Sequence, residues 1–356
     1  MKQAAATTVA VGLLALPAGA QTLRDAVEGA WKLNPEVRCL EVQRAVATAR
    51  RGAGEALVPA APAVTLRHTS DDLNRNIGRR EYEAELGVPL WLPGQGKATV
   101  RAGDALLART DAEIARQRLK VARQLEADTR RTARAEALSV AKPLYDEELA
   151  LEEARQAFRR LTGMAPPKAA PEPDIGEPPL ERHPSRQAAR LGVRSAQAQR
   201  QLVDLTTRDS PEVGLMARRE RDSREERYDT VFDVSVRIPF AGEAVHAPKR
   251  AEALSEVVRS EAEQANATRT VESDIRQARL AHQTASKRLP TARDRAAALC
   301  ARLSNIERAR RAGEISFVEY VRAQEAAFEA GLATTTAEVQ LGAARARMNQ
   351  SLGVLP

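Results

Sequence analysis

Aromatic side chains are scarce in this 356-residue chain, which has five Phe, four Tyr and two Trp, 3% in all. A compact globular core draws on more of them. Long alanine-rich helices packed at close range need few, so the shortage points to coiled-coil-like architecture. Cysteine is nearly missing, with Cys39 and Cys300 the whole complement. The four histidines, His68, His183, His246 and His282, are dispersed, with no carboxylate or Cys at metal-ligand spacing, so surface histidines and no metal site are expected. Gly94-Gln95-Gly96 lacks the longer glycine pattern and the Lys-Ser/Thr ending of a nucleotide loop, and no Ser/His/Asp set is suggested by spacing. No enzyme activity and no cofactor are expected. The net charge of +7 comes from 55 basic residues interleaved with 48 acidic ones. Without an RNA-stacking aromatic motif or a zinc-finger spacing, this charge reads as solvated helix faces, not as a nucleic-acid surface.

Long apolar runs are missing beyond the N-terminus. Lys2, the apolar stretch Ala4 to Leu16 and the small residues Ala18-Gly19-Ala20 fit a secretory signal peptide over residues 1–20, and the stretch is short of the ~20 residues a spanning helix needs. No Cys follows the cleavage pattern, so no lipid anchor is expected there. No later segment reads as a transmembrane helix, so a membrane would be met through strands or a partner.

What the chain does contain is a repeat. Asn34-Pro35-Glu36 and His183-Pro184-Ser185 each open a helical run, and Pro62 and Pro211 each precede a strand pattern; both pairs are 149 residues apart. Tyr82/Tyr228, Pro93/Pro239 and Gly96/Gly242 share an offset of 146. Strands are predicted at about 62–69, 80–91, 211–219 and 228–239 from period-two alternation. In the second, Tyr82, Ala84, Leu86 and Val88 share one face, with Glu83 and Glu85 on the other. In the fourth, Tyr228, Phe232, Val234, Val236 and Ile238 oppose Asp229, Asp233, Ser235 and Arg237. Strand-to-helix corners fall at Pro93, Gly94 and Gly96, and at Pro239 and Gly242.

A helix follows each corner glycine. Over 97–142 the residues Val100, Leu107, Ile114 and Val121 make a seven-residue stripe, the seam of a packed helix. The helix over 249–312 is interrupted only by Pro290, which should kink it. Each half closes on a shorter helix ending at Gly163 or Gly353. The organisation expected is a first repeat over 21–164, a proline-rich linker over 165–184, and a second repeat over 185–356.

The repeats are unequal. From Gly96 to Gly163 is 67 residues and from Gly242 to Gly353 is 111, so the first helical hairpin is 44 residues shorter, or ~22 per arm and ~33 Å at 1.5 Å per residue. Cys39 and Cys300 then lie too far apart along their helices for an intramolecular disulfide. Four strands with open edges cannot stand alone in a bilayer. They could join a barrel closed by several subunits, with an apolar outer face and a partly acidic lumen at Glu83, Glu85, Asp229 and Asp233. The alternative is a small sheet capping a soluble bundle, its apolar face packed on the helices.

The order of these landmarks, with Arg311-Ala312-Gly313-Glu314-Ile315-Ser316-Phe317-Val318-Glu319 leading to Ala323-Gln324, resembles the outer membrane efflux protein family, the TolC-type channels. The last segment resembles that family's hairpin tip; physically it is a helix stop at Gly313 and a capping box of Ser316 with Glu319. The corner Leu92-Pro93-Gly94-Gln95 further resembles the heavy-metal cation efflux branch. The resemblance implies a homotrimer whose twelve strands form an outer-membrane barrel in contact with lipid. Its helices would form a periplasmic tunnel docked at Arg311, Gly313, Glu314, Ser316 and Glu319 onto an adaptor protein and an inner-membrane pump. The duct would be passive, for metal cations or drugs; a protein-secretion duct of the same family is a further option. Outside the family, the chain reads as an exported coiled-coil interaction protein. The first hairpin departs from the family pattern: it has no second tip and turns abruptly at Ala141-Lys142-Pro143-Leu144. A natural short form, a decayed copy and a gap in the sequence all fit that departure.

Overall fold

The computed structural model describes residues 22–74, 76–141, 145–167, 176, 178–240 and 243–355. The expected signal peptide, the turn residues Lys142-Pro143-Leu144, positions 168–175 and 177 of the connector, and the corner Gly242 lie outside them. In chain order the elements are α1 (Leu23–Leu33), α2 (Pro35–Glu55), β1 (Ala63–Ser70), β2 (Arg80–Pro89), α3 (Gln95–Ala141), α4 (Tyr145–Thr162), α5 (Pro184–Leu205), β3 (Glu212–Arg221), β4 (Asp229–Arg237), α6 (Glu243–Arg311) and α7 (Phe317–Ser351), with a 3-10 turn at Leu180–Arg182. The fold is therefore mainly helical, with two helix–strand–strand–helix repeats.

The repeats begin by the same device. Asn34 caps α2 by accepting from the Glu36 N–H (2.9 Å), and His183 caps α5 by accepting from the Ser185 N–H at Nδ1 (3.2 Å). Each cap is followed by a proline at the first helical position, where a missing N–H costs nothing. Each repeat ends on a left-handed glycine, Gly163 (φ 71°) and Gly353 (φ 82°). Gly353 lies against His183 and Pro184, where an added Cβ would come 2.7 Å from the Pro184 ring, so the end of one repeat is locked to its own start.

Here the expectation of surface histidines fails for two of the four. His183 is 2% exposed and His246 is buried as well. Burial, with Arg123 adding to it, holds the His183 imidazole down at about 4, so it caps α5 as a neutral acceptor.

The core is built around α3, which packs against α1, α2, α4, α5 and α7. Ala26, Val27 and Ala30 of α1 meet Val121, Ala122 and Leu125 of α3 and Phe158 of α4, which is fully buried. Of the expected seam, Val100, Leu107 and Ile114 are only half-buried, and the deepest apolar positions are Ala122, Leu125, Leu119 and Ala98. A helix covered on several sides has no single stripe. The α6–α7 pair does show one: Ala278 and Ala285 on α6, and Ala330, Ala337 and Ala344 on α7, are buried at seven-residue spacing. These small residues let the helices approach closely without aromatics.

Close approach also explains two glycines. An added Cβ would lie 2.8 Å from the Val100 backbone nitrogen at Gly54, and 2.7 Å from the Arg51 Cα at Gly103. The α2–α3 crossing thus needs both to lack a side chain. At the first corner the helix starts at Gln95, one residue before Gly96, and the left-handed turn belongs to Gly94 (φ 80°).

The hairpins are unequal, as the spacing requires. α3 has 47 residues against 69 in α6, and α4 has 18 against 35 in α7. At 1.5 Å per residue the outgoing arm is shorter by ~33 Å and the return arm by ~26 Å. The return arm loses less than an even split of the deficit demands. α6 runs through Pro290 as one continuous helix. Cys39 and Cys300 are both free and exposed. Among the described residues, no helix is long and apolar enough to cross a membrane.

Candidate functional site

The four strands form one antiparallel sheet in the order β1-β2-β3-β4, with β1 and β4 as open edges. Partners directly across an antiparallel ladder point to the same side. Leu86 of β2 pairs with Val64 and Leu215, and Leu215 pairs with Val234, so one row of four apolar side chains crosses the sheet. The next row on that face is Leu66, Ala84, Ala217 and Phe232. On the other face Arg67 lies beside Glu83 and Glu83 beside Arg218, while Thr65, Glu85, Met216 and Asp233 form the adjoining row.

The exposure of the two faces is inverted relative to a soluble sheet. Val64 (67%), Phe232 (74%) and Val234 (72%) are bare, as are Leu66, Leu86, Leu215 and Val236. Glu81 and Glu83 on the charged face keep side-chain exposures of only 15% and 13%. No helix packs on the sheet among the described residues. The reading of a sheet capping a soluble bundle, with its apolar face on the helices, is therefore overturned.

The charged face is organised by its own contacts. Arg67 donates to Glu83 across β1–β2 (2.9 Å), and Arg218 lies between Glu81 (3.8 Å) and Glu220 (3.7 Å). Gly87 and Gly214 face each other in the β2–β3 ladder, and the space above them is taken by the side chains of Glu212 and Glu85. Counting the four strands, this face holds seven carboxylates (Glu81, Glu83, Glu85, Glu212, Glu220, Asp229, Asp233) and three arginines (Arg67, Arg218, Arg237). Glu83, Glu85, Asp229 and Asp233 thus share one face. The arginine partners and the glycine pair could not be placed from alternation alone, because that requires the strand register.

The other sequence-derived positions lie elsewhere. Pro93, Gly94 and Gly96 stand at the sheet end of α3, and Pro239 follows β4. At the far end of α6, Gly313 is left-handed (φ 82°), the Glu314 N–H donates to the Ala309 carbonyl (3.0 Å), and Ser316 and Glu319 form the expected capping box on α7. Arg311 is exposed there and pairs with Glu307 (3.8 Å). With 69 residues in α6, this tip stands ~100 Å from the sheet. Sheet and tip are two ends of one rod. Among the described residues, no group of three or more His, Cys, Asp or Glu could hold a metal ion.

No family model and no curated protein matches the sequence. Solved structures do. The outer membrane protein VceC from Vibrio cholerae aligns over 93% of this chain and 96% of its own, at 13% identity and a TM-score of 0.66. The CmeC outer membrane channel of Campylobacter jejuni aligns over 93% and 85%, at 14% identity and a TM-score of 0.67. The open state of the MtrE outer membrane channel of Neisseria gonorrhoeae aligns over 93% and 89%, at 14% identity and a TM-score of 0.62. The fold of this chain is the fold of these channels.

Proposed function

We propose that this chain is one subunit of an outer-membrane channel closed by copies of itself, the passive exit duct of a tripartite efflux system. The observation that carries the proposal is the inverted sheet. Seven or more large apolar side chains exposed on one face would be a severe liability in water. Facing lipid, they are what a barrel exterior requires, and the charged, half-covered face suits a lumen. The dimensions agree: β2 and β3 have ten residues each, and at ~3.3 Å per residue and a tilt of ~40° they span ~25 Å, the height of an outer-membrane apolar band. Open edges at β1 and β4 call for neighbours, and β4 of one copy is antiparallel to β1 of the next, as a closed barrel demands. Three copies supply twelve strands.

In this reading α3, α4, α6 and α7 form the periplasmic wall, and the capped tip at Arg311, Gly313, Glu314, Ser316 and Glu319 meets an adaptor protein that links it to an inner-membrane pump. The excess of four carboxylates on the lumen face of each copy favours cations, in keeping with the resemblance of the Leu92-Pro93-Gly94-Gln95 corner to the heavy-metal branch. The test is fractionation of cells expressing the full chain. A detergent-extracted trimer from the outer membrane is expected; a soluble monomer in the periplasm overturns the reading.

A further inference from the structure

The apolar face of the sheet changes chemistry at the end far from the helices. Its last apolar row is Leu66, Ala84, Ala217 and Phe232, and the next row is His68, Tyr82, Arg219 and Thr230. His68 stacks on Tyr82 with ring centroids 4.5 Å apart, and the Tyr228 ring lies 6.4 Å from that of Tyr82. The last rung of the β2–β3 ladder pairs Arg80 with Arg221. Apolar, aromatic and basic rows thus follow one another along a single face. From the middle of β2 to Arg80 is about 4.5 residues, or ~11 Å at ~3.3 Å per residue and a tilt of ~40°. That is the edge of an apolar band ~25 Å tall, the level at which aromatic side chains gather and lipid head groups begin.

Charge at this end is sorted by face. Glu81, Glu220 and Asp229 share the opposite face, while the arginines stand on the apolar one. The guanidinium carbons of Arg219 and Arg221 lie 4.7 and 4.9 Å from the centre of the Tyr228 ring, so one ring carries both. Arg221 also donates from Nε to the Gly78 carbonyl (3.1 Å), which leaves its Nη groups uncommitted. Among the described residues, neither Arg219 nor Arg221 has a carboxylate partner. Arg80 does: it lies 3.6 Å from Asp72 of the β1–β2 loop. Guanidinium groups already held on a ring lose less freedom on binding, and their planar fork matches phosphate oxygens.

We propose that Arg219 and Arg221, set on Tyr228, form a binding site for the phosphate of an anionic lipid, at the rim of the lipid-facing surface farthest from the helices. The charge of the pair complements the phosphate. The occupant is a lipid and not a soluble anion because the site continues directly into bare apolar surface. Phe232 and Leu215, 74% and 55% exposed, lie on the same face on its membrane side, where acyl chains would run. Each copy in the barrel carries one such site. The proposal rests on the channel reading.

The experiment is native mass spectrometry of the full chain extracted in detergent, which reads subunit number and retained lipid together. The probes are bis-phosphorylated lipid A and its dephosphorylated form, added at equal concentration. The parent trimer should hold the phosphorylated form about thirtyfold better, the factor expected of two interfacial arginines. Arg219→Gln with Arg221→Gln should remove that preference, and Arg219→Lys with Arg221→Lys should keep most of it. Arg67→Gln with Arg218→Gln, the same loss of charge on the opposite face, should keep it in full. A parent trimer that holds both lipids equally, or a glutamine pair with the parent's preference, overturns the site and leaves the channel standing. Displacement of the lipid by a large excess of inorganic phosphate would assign the arginines to a free anion and overturn the lipid site. A soluble monomer overturns the channel reading and the site with it.

Discussion

Val234→Arg is the substitution that separates a lipid-facing sheet from a water-facing one most sharply. Val234 lies near the middle of β4, in the apolar row with Val64, Leu86 and Leu215, and is 72% exposed in the single chain. In water, replacing such a residue changes stability by no more than ~0.5 kcal/mol, since nothing is packed on it. Near the bilayer midplane an outward arginine costs about 2–4 kcal/mol. Three copies per barrel raise the total to about 6–12 kcal/mol, comparable to the whole stability of an ordinary domain. Ser235→Arg is the matched control: it is one residue away, exposed, and on the opposite face beside Gly214. The assay is denaturant unfolding of the chain folded into lipid vesicles, with the fraction assembled in the outer membrane as a second readout. Val234→Arg should abolish or strongly reduce assembly while Ser235→Arg leaves it near the parent level. Equal, small effects from both would refute the assignment of the apolar face to lipid.

Other consequences follow from particular contacts. The His183 imidazole is held down at about 4 against 6.5 in the unfolded chain, so the unfolded state binds more protons between these values and stability falls as pH drops from about 6.5 toward 4. His183→Asn keeps a side-chain cap like that of Asn34 and should flatten the loss of melting temperature between pH 7 and pH 5; an unchanged slope would reject the assignment. Gly52→Ala and Gly54→Ala, two residues apart on α2, should act oppositely. An added Cβ meets nothing within 4 Å at Gly52, giving a gain of up to about 1 kcal/mol, whereas at Gly54 it presses on the Val100 backbone and should destabilise despite the same propensity gain. Neutralising Glu83, Glu85, Asp229 and Asp233 should remove cation preference, and Arg67→Gln should strengthen it, in reversal potentials measured across planar bilayers. No shift in either would reject a selective lumen. Ser316→Ala should cost about 1 kcal/mol locally and speed amide exchange in the first turn of α7 only.

The repeat was legible because its landmarks are local rules. Proline after a capping residue, alternation in strands and glycine at helix ends each leave a mark in the sequence, and their offsets alone require unequal hairpins. What stayed hidden depends on contacts distant in sequence. His183 looked like any dispersed histidine; the close approach of Gly353 and the charge of Arg123 come from far along the chain. The pairing of Arg67 and Arg218 with the carboxylates of the charged face requires the register of β1, β2 and β3. The seam of α3 was misjudged because a stripe assumes one partner helix, and α3 has five. The uneven division of the deficit between the two arms likewise needed the helix ends, which spacing between glycines does not give.

The central claim, that one face of this sheet meets lipid and the other water, is tested most directly by nitroxide accessibility along β4 in vesicles. Single labels are placed at each position from 230 to 236 in a cysteine-free background. Oxygen, which concentrates in lipid, should relax labels at 230, 232, 234 and 236, and a water-soluble nickel chelate should relax those at 231, 233 and 235, giving two opposed profiles with a period of two. Equal access of the nickel chelate at all seven positions would contradict the account.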